Sequence, residues 1–244
     1  MIKQRDAKDL AAGYLSGYRV IEVIALIAFC LVSFQLIFKI FTNRSDHTVA
    51  IVLALFFGLI SSDFVSGLVH WAADTWGSAD WPILGKTLIR PFREHHVDPL
   101  AMTRHDLIES SGSTCLISLP IFAAVEMIQL KAESAFPIFF ATWITSMVIF
   151  SFFTAHIHIW AHRKENPSWV VFLQKSHLIL SSKNHSFHHV PPFQRNYCMT
   201  TGWLNPFLNR IQFFAKLERI ITAITGALPR KDDIGEEAAR AIIE

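Results

Sequence analysis

The sequence predicts an all-α integral membrane protein, with four transmembrane helices in two hairpins, a cytosolic histidine-rich cap and amphipathic helices at the interface. Three observations predict it. Of 244 residues, 52% are hydrophobic and only 17% charged, against about 25% charged in a typical soluble domain. Four apolar runs come near the ~20 residues that cross a bilayer. The polar segments beside these runs hold nearly all of the twelve histidines. The whole chain, 1–244, reads as one domain, with spans at about 20–41, 48–69, 112–130 and 136–157 and a cap formed by 70–111 and 158–230.

The first run is too long for the core of a signal peptide, roughly 7–15 residues, and is expected to stay as a membrane helix. The first run has Glu22 and Lys39 near its ends, and the third is the weakest, because it carries Pro120 and Glu126. Short links around 43–47 and 131–135 alternate with long polar segments, so two hairpins place the N-terminus, the middle loop and the C-terminal region on one side. Lys3, Arg5, Lys8, Arg19, Lys86, Arg90, Arg93, Arg104, Arg163, Lys164, Lys175 and Lys183 share that side. Lys and Arg enrich cytoplasmic loops, so the side is expected to be cytoplasmic. Every histidine but His47 falls there or at that end of a helix.

Residues 81–92, 169–180 and 203–225 mix Trp, Phe and Leu with Lys and Arg, as helices in the headgroup layer do. The last has Ile211, Phe214, Leu217, Ile221 and Ile224 at helical spacing, which equally suits packing onto the protein's own body. Trp71, Trp76, Trp160 and Trp203 fit an aromatic belt. The charged tail from Arg230 is expected to form a frayed helix. A net charge of +2 offers no basic surface for nucleic acid, and three scattered cysteines exclude a disulfide framework or a cysteine zinc site.

Four histidine clusters carry the chemistry. His70 and Asp74 form HxxxD at the end of the second span, and His158 and His162 form HxxxH at the end of the fourth. Residues four apart share a helix face, so each pair directs two ligands to one centre. His95 and His96 are adjacent, and His185, His188 and His189 form HxxHH. Imidazole suits Zn, Cu, Fe and Ni, and a single zinc takes three or four protein ligands. Nine candidates favour two metals. Any one cluster alone reads as well as an interfacial polar pair; the four together, on one side of the membrane, point to metal. His105 and His177 are candidates for ligands or for orienting ligands. His47 lies on the opposite side, and His156 is expected to face away from His158. Arg90, Arg93 and Arg104 are candidates for a lipid head group, although positive-inside bias alone would place them there.

The blocks GLVHWAADTWGS, GKTLIRPFREHHVDPLAMTRHD, IHIWAH, HHVPP and TTGWLN, in this order, resemble the plasmanylethanolamine desaturase family of membrane lipid desaturases over about residues 58–229. The resemblance implies an O2-dependent enzyme with two irons that forms the vinyl-ether double bond of plasmalogens from 1-O-alkyl ethanolamine phospholipids. It implies iron ligands at His70, Asp74, His95, His96, His158, His162, His185, His188 and His189, with His105 and His177 also matching. The chain departs from the usual family pattern at Asn184, where a further histidine is common, and at His156; neither change removes a proposed ligand.

No haem, flavin or dinucleotide signature is visible, so an external electron donor of cytochrome b5 or ferredoxin type, with its reductase, is expected. The membrane would be a bacterial inner membrane or the endoplasmic reticulum, with the active site at its cytoplasmic face. The family borders on plant acyl-lipid desaturases, so an acyl-lipid desaturase or hydroxylase is the nearest alternative. A non-enzymatic metal sensor is the alternative from another class, and an apolar tunnel ending at the histidines would separate the two. A transporter is disfavoured, because its ligands would lie near the bilayer midplane.

Overall fold

The computed structural model describes residues 10, 12–14, 17–44, 47–82, 84–130 and 134–243. The predicted basic residues Lys3, Arg5 and Lys8 and the link at 131–133 lie outside the described residues. Among the described residues, four helices are long and apolar enough to cross a membrane: α1 (Tyr18–Thr42), α2 (Thr48–Thr75), α4 (Leu107–Glu126) and α5 (Ala135–His162). Between α2 and α4 lie a π-helical turn (Gly85–Ile89), α3 (Arg90–Val97) and a 3₁₀ turn (Ala101–Arg104). After α5 come α6 (Ser168–Lys175), α7 (Ser182–Ser186), α8 (Asn205–Arg210), α9 (Phe213–Thr225), α10 (Lys231–Ile234) and α11 (Glu236–Ile243). The described residues contain no strand.

The helices outrun the expected spans, and the difference matters for the site. α2 and α5 are 28 residues each, about 42 Å at 1.5 Å per residue, against about 30 Å of hydrocarbon. The extra turns carry His70 with Asp74, and His158 with His162, on the continuing helices rather than in loops. The third span starts earlier than expected because Asp106 caps it, its carboxylate accepting from the N–H groups of Ile108 and Glu109 at 3.0 Å each.

α2 packs along α5, and α1 along α4. Small residues let the backbones close: a Cβ on Gly58 would stand 2.0 Å from Ser146 Oγ, and one on Gly112 would stand 2.4 Å from Glu22 Cβ. The apolar core between α1, α4 and α5 gathers Phe29, Leu36, Phe122 and Val148. At the end of α1 and α4 remote from the histidines, Lys39 Nζ donates to Glu126 Oε2 at 3.0 Å.

The C-terminal part folds back onto α2. Phe214 of α9 is buried with Trp71, Tyr197 and Cys198. For this helix, packing onto the body prevails over a purely interfacial position, although Ile220 and Ile224 stay exposed. Trp71 is likewise a core residue, only 6% exposed, not part of an aromatic belt. Trp169 and Phe172 of α6 are exposed, as an interfacial helix requires.

Candidate metal centre and substrate cavity

α2, α3, α5 and the loop through α7 each bring histidines to one place, at the same end of the helix bundle. Two groups result. One donor atom from each of His95, His158, His162, His185 and His189 lies within 4.8 Å of the others, and the same holds for His70, His95, His96 and His188. His95 belongs to both. Eight of the nine predicted ligands are therefore in the two groups, and the ninth, Asp74, faces the second. Its Oδ2 lies 3.1 Å from His70 Nε2, 3.3 Å from His188 Nε2 and 3.5 Å from His96 Nε2.

The donor set fits a cation better than it fits itself. His185 Nε2 lies 2.7 Å from His162 Nε2, 2.9 Å from His158 Nε2 and 3.0 Å from His189 Nε2. A ring nitrogen has either one proton or one lone pair, so it cannot satisfy three such neighbours at once. In addition, His95 Nε2 and both oxygens of Asp74 are buried without a well-formed hydrogen bond. A metal ion accepting these lone pairs removes both conflicts.

Protonation favours the same conclusion. Burial first, then the neighbouring imidazoles, push His95 and His185 well below the ordinary imidazole range. His189 falls to about 2 for the same reasons. Burial and the charge of His70 lower His188 to about 4, with Asp74 pulling the other way. These rings are neutral at pH 7, with lone pairs free for a metal. His188 Nδ1 lies 3.0 Å from the Arg195 carbonyl; a carbonyl only accepts, so the proton is on Nδ1 and Nε2 presents its lone pair.

Other predicted residues fall elsewhere. His177 is exposed, has a φ of +57° and accepts from Trp203 Nε1 through its carbonyl at 2.6 Å. His105 lies 3.4 Å from Glu94 and 3.6 Å from Glu109, outside both groups. His156 packs against Phe152 and Trp160. The head-group assignment is corrected for two arginines. Arg90 is buried in ion pairs with Glu94 (2.9 Å) and Glu109 (2.6 Å), and Arg93 is buried, pairing with Asp232 at 3.1 Å. Neither guanidinium is open to a lipid phosphate. Arg104 is exposed and pairs with Asp98 at 2.6 Å.

Four residues around the site do not stand out in the histidine pattern. Asp63 of α2 is fully buried and accepts from the N–H groups of Thr201, Gly202 and Leu204 at 2.8, 2.9 and 3.2 Å, tying the loop after HHVPP to the membrane helix. A carboxylate inside an apolar span is its signal in the sequence. Glu218 sits on the apolar stripe of α9, four residues after Phe214, which is also a signal. Tyr197 and Arg230 carry none; tertiary contact alone brings them to the site.

A cavity of about 240 Å³ opens from the histidines into the bundle. His70 and His158 stand at one end; Ile117, Ile121, Met147 and Val148 line its depth. Met147 and His158 are eleven residues apart on α5, about 16 Å along the axis. Thr87, His105, Glu109 and Ser110 also line it. The cavity thus reaches from the histidines to apolar side chains deep between the membrane helices.

A family signature described as a lipid desaturase domain matches residues 59–232. The Myxococcus xanthus plasmanylethanolamine desaturase is 43% identical over 99% of this chain and 85% of its own length. Plasmanylethanolamine desaturase 1 of Mus musculus is 43% identical over 93% of this chain and 86% of its own. This chain belongs to the plasmanylethanolamine desaturase family. Fatty acid desaturase 4 of Arabidopsis thaliana is more distant, 31% identical over 73% of this chain and 54% of its own length. No solved structure matches. The protein is thus an oxidoreductase that desaturates lipid, held in the membrane by its four apolar helices, with two histidine groups able to bind metal.

Proposed function

We propose that the protein forms the vinyl-ether double bond of plasmalogens from a 1-O-alkyl ethanolamine phospholipid, using O2 and two irons. The cavity carries this reading, because it joins the histidine groups to the membrane interior along an apolar path. His70, Asp74, His95, His96, His158, His162, His185, His188 and His189 would hold the irons, and the irons would supply the redox chemistry that uses O2 to remove two hydrogens from the chain. The hydrogens leave the first two carbons of the alkyl chain. O2 becomes two waters by taking these hydrogens together with two electrons and two protons from outside.

The chain's own residues bind and orient. Ile117, Ile121, Met147 and Val148 hold the alkyl chain and exclude water, so its reacting carbons meet the end of the cavity at His70 and His158. Arg195, through its carbonyl, holds the proton of His188 on Nδ1. The basic residues on the histidine side support a cytoplasmic active site, reached by an electron donor of cytochrome b5 or ferredoxin type. Kinship with the Arabidopsis fatty acid desaturases supports acyl-lipid desaturation as a second reading.

Lipid mass spectrometry on cells that supply alkyl-ether phospholipids tests both. Acid-labile vinyl ethers should appear with the intact protein and not with His188→Ala. If folded, iron-loaded protein supplied with electrons makes none, the plasmalogen reading falls; a new acyl double bond in the same spectra would establish the second.

A further inference from the structure

We infer that Arg230 is a positioning residue for the Asp74 half of the metal centre, an inference that rests on the metal-binding reading above. Arg230 belongs by sequence to a charged tail expected to fray, yet it is fully buried, with 0% exposure. Its φ of +54° is one that a side-chain-bearing residue keeps only where its surroundings over-determine it.

Its contacts converge on one target. The Arg230 backbone N–H donates to the Thr75 carbonyl at 2.8 Å. Nη1 lies 3.1 Å from Thr75 Oγ1, 3.1 Å from Tyr197 Oη and 3.0 Å from Glu218 Oε1, and Nη2 donates to Glu218 Oε2 at 2.6 Å. Thr75 ends α2 directly after Asp74. The last carbonyls of a helix lack partners within it; here Arg230 caps that of Thr75, and Arg93 donates to that of Asp74. Tyr197, whose hydroxyl donates to the Phe193 carbonyl and so accepts from Arg230, sets its ring 5.2 Å from that of His188, tilted, and 6.0 Å from that of His70, edge-on. Glu218 also accepts from Trp71 Nε1, next to His70, at 2.9 Å.

Each of these routes leads to Asp74, His70 or His188. None leads to His158, His162, His185 or His189. Arg230 therefore fixes the end of α2 and the Tyr197 ring from the far side, and sets where the carboxylate and two imidazoles of one half can stand. Lysine cannot replace it, because an ammonium lacks the planar fork that serves Glu218 with two nitrogens while reaching Thr75 and Tyr197.

The test is iron retention by the purified full-length protein against chelators of graded strength, with thermal unfolding followed in parallel. Arg230→Gln should release iron in two phases: about half becomes 10–100-fold easier to remove, as for loss of a ligand-orienting partner, and the rest behaves as in the wild type. Tyr197→Phe, which leaves the Arg230–Glu218 pair in place, should show the same split with little change in unfolding temperature. His162→Ala should weaken the other half, and combined with Arg230→Gln should weaken both. Wild-type release from Arg230→Gln and Tyr197→Phe would overturn the inference. So would uniform weakening of all the iron in step with lost stability, which marks a purely structural ion pair. A wild-type protein that binds no iron would instead overturn the metal reading itself.

Discussion

His158, His162, His185 and His189 converge through nitrogen alone, whereas His70, His96 and His188 converge around the carboxylate of Asp74. The first set takes two rings from one helix, α5, and two from the short α7 and the turn after it. The second set draws on α2, α3 and the HxxHH segment, and is backed by buried Arg230, Glu218 and Tyr197. Buried donor groups able to hold a metal can thus be kept in place in two ways. One half depends on close packing of rings at the end of a rigid helix. The other adds a negative charge and a polar scaffold that must itself be satisfied, because a half-satisfied buried network costs more than an apolar one.

Removing the charge of Asp74 without its shape should have the largest effect. Asp74→Asn should lower metal affinity of the carboxylate half by about 10–100-fold and leave the all-imidazole half loaded, read as iron bound per chain. Equal loss from both halves would show that they act as one unit.

Protonation also separates the two halves. In the metal-free protein, His188 titrates at about 4 and His189 at about 2, because Asp74 partly offsets the cost of charging His188. Both values lie below the ordinary 6.5, so the unfolded chain takes up protons first as pH falls. The stability contributed by these neutral rings is full above about pH 6.5 and is lost as the pH falls through about 4 for His188 and through about 2 for His189. Ring-proton NMR of metal-free protein should show His188 titrating above His189; the reverse order would deny Asp74 its electrostatic role.

The smallest effect lies outside both halves. Arg104 and Asp98 form a 2.6 Å pair with side chains 59% and 33% exposed, and exposed pairs contribute about 0–1 kcal/mol. Arg104→Ala should shift stability by no more than that and leave iron content unchanged, as chemical unfolding and metal analysis would show.

Long apolar runs that cross lipid without closing into a barrel satisfy their backbone polar groups only as helices, so α1, α2, α4 and α5 were legible in the sequence. An i, i+4 spacing fixes a shared helix face whatever the helix packs against, so His70 with Asp74 and His158 with His162 were legible as pairs that point to one centre. Tertiary structure alone decided the rest. The spacing of His95, His96 and HxxHH does not say which ring turns to which partner; the packing of α3 and α7 sorted them, with His95 in both groups. Arg90 and Arg93 look like surface cations until Glu94, Glu109 and Asp232 come to meet them. Arg230 lies 155 residues from Thr75 and looks like part of a solvated tail. Hydrophobic periodicity reports which face of an element is buried, but it has no term for a charge whose compensating partners come from elsewhere in the chain. Such charges become visible only when the fold brings both partners out of water together.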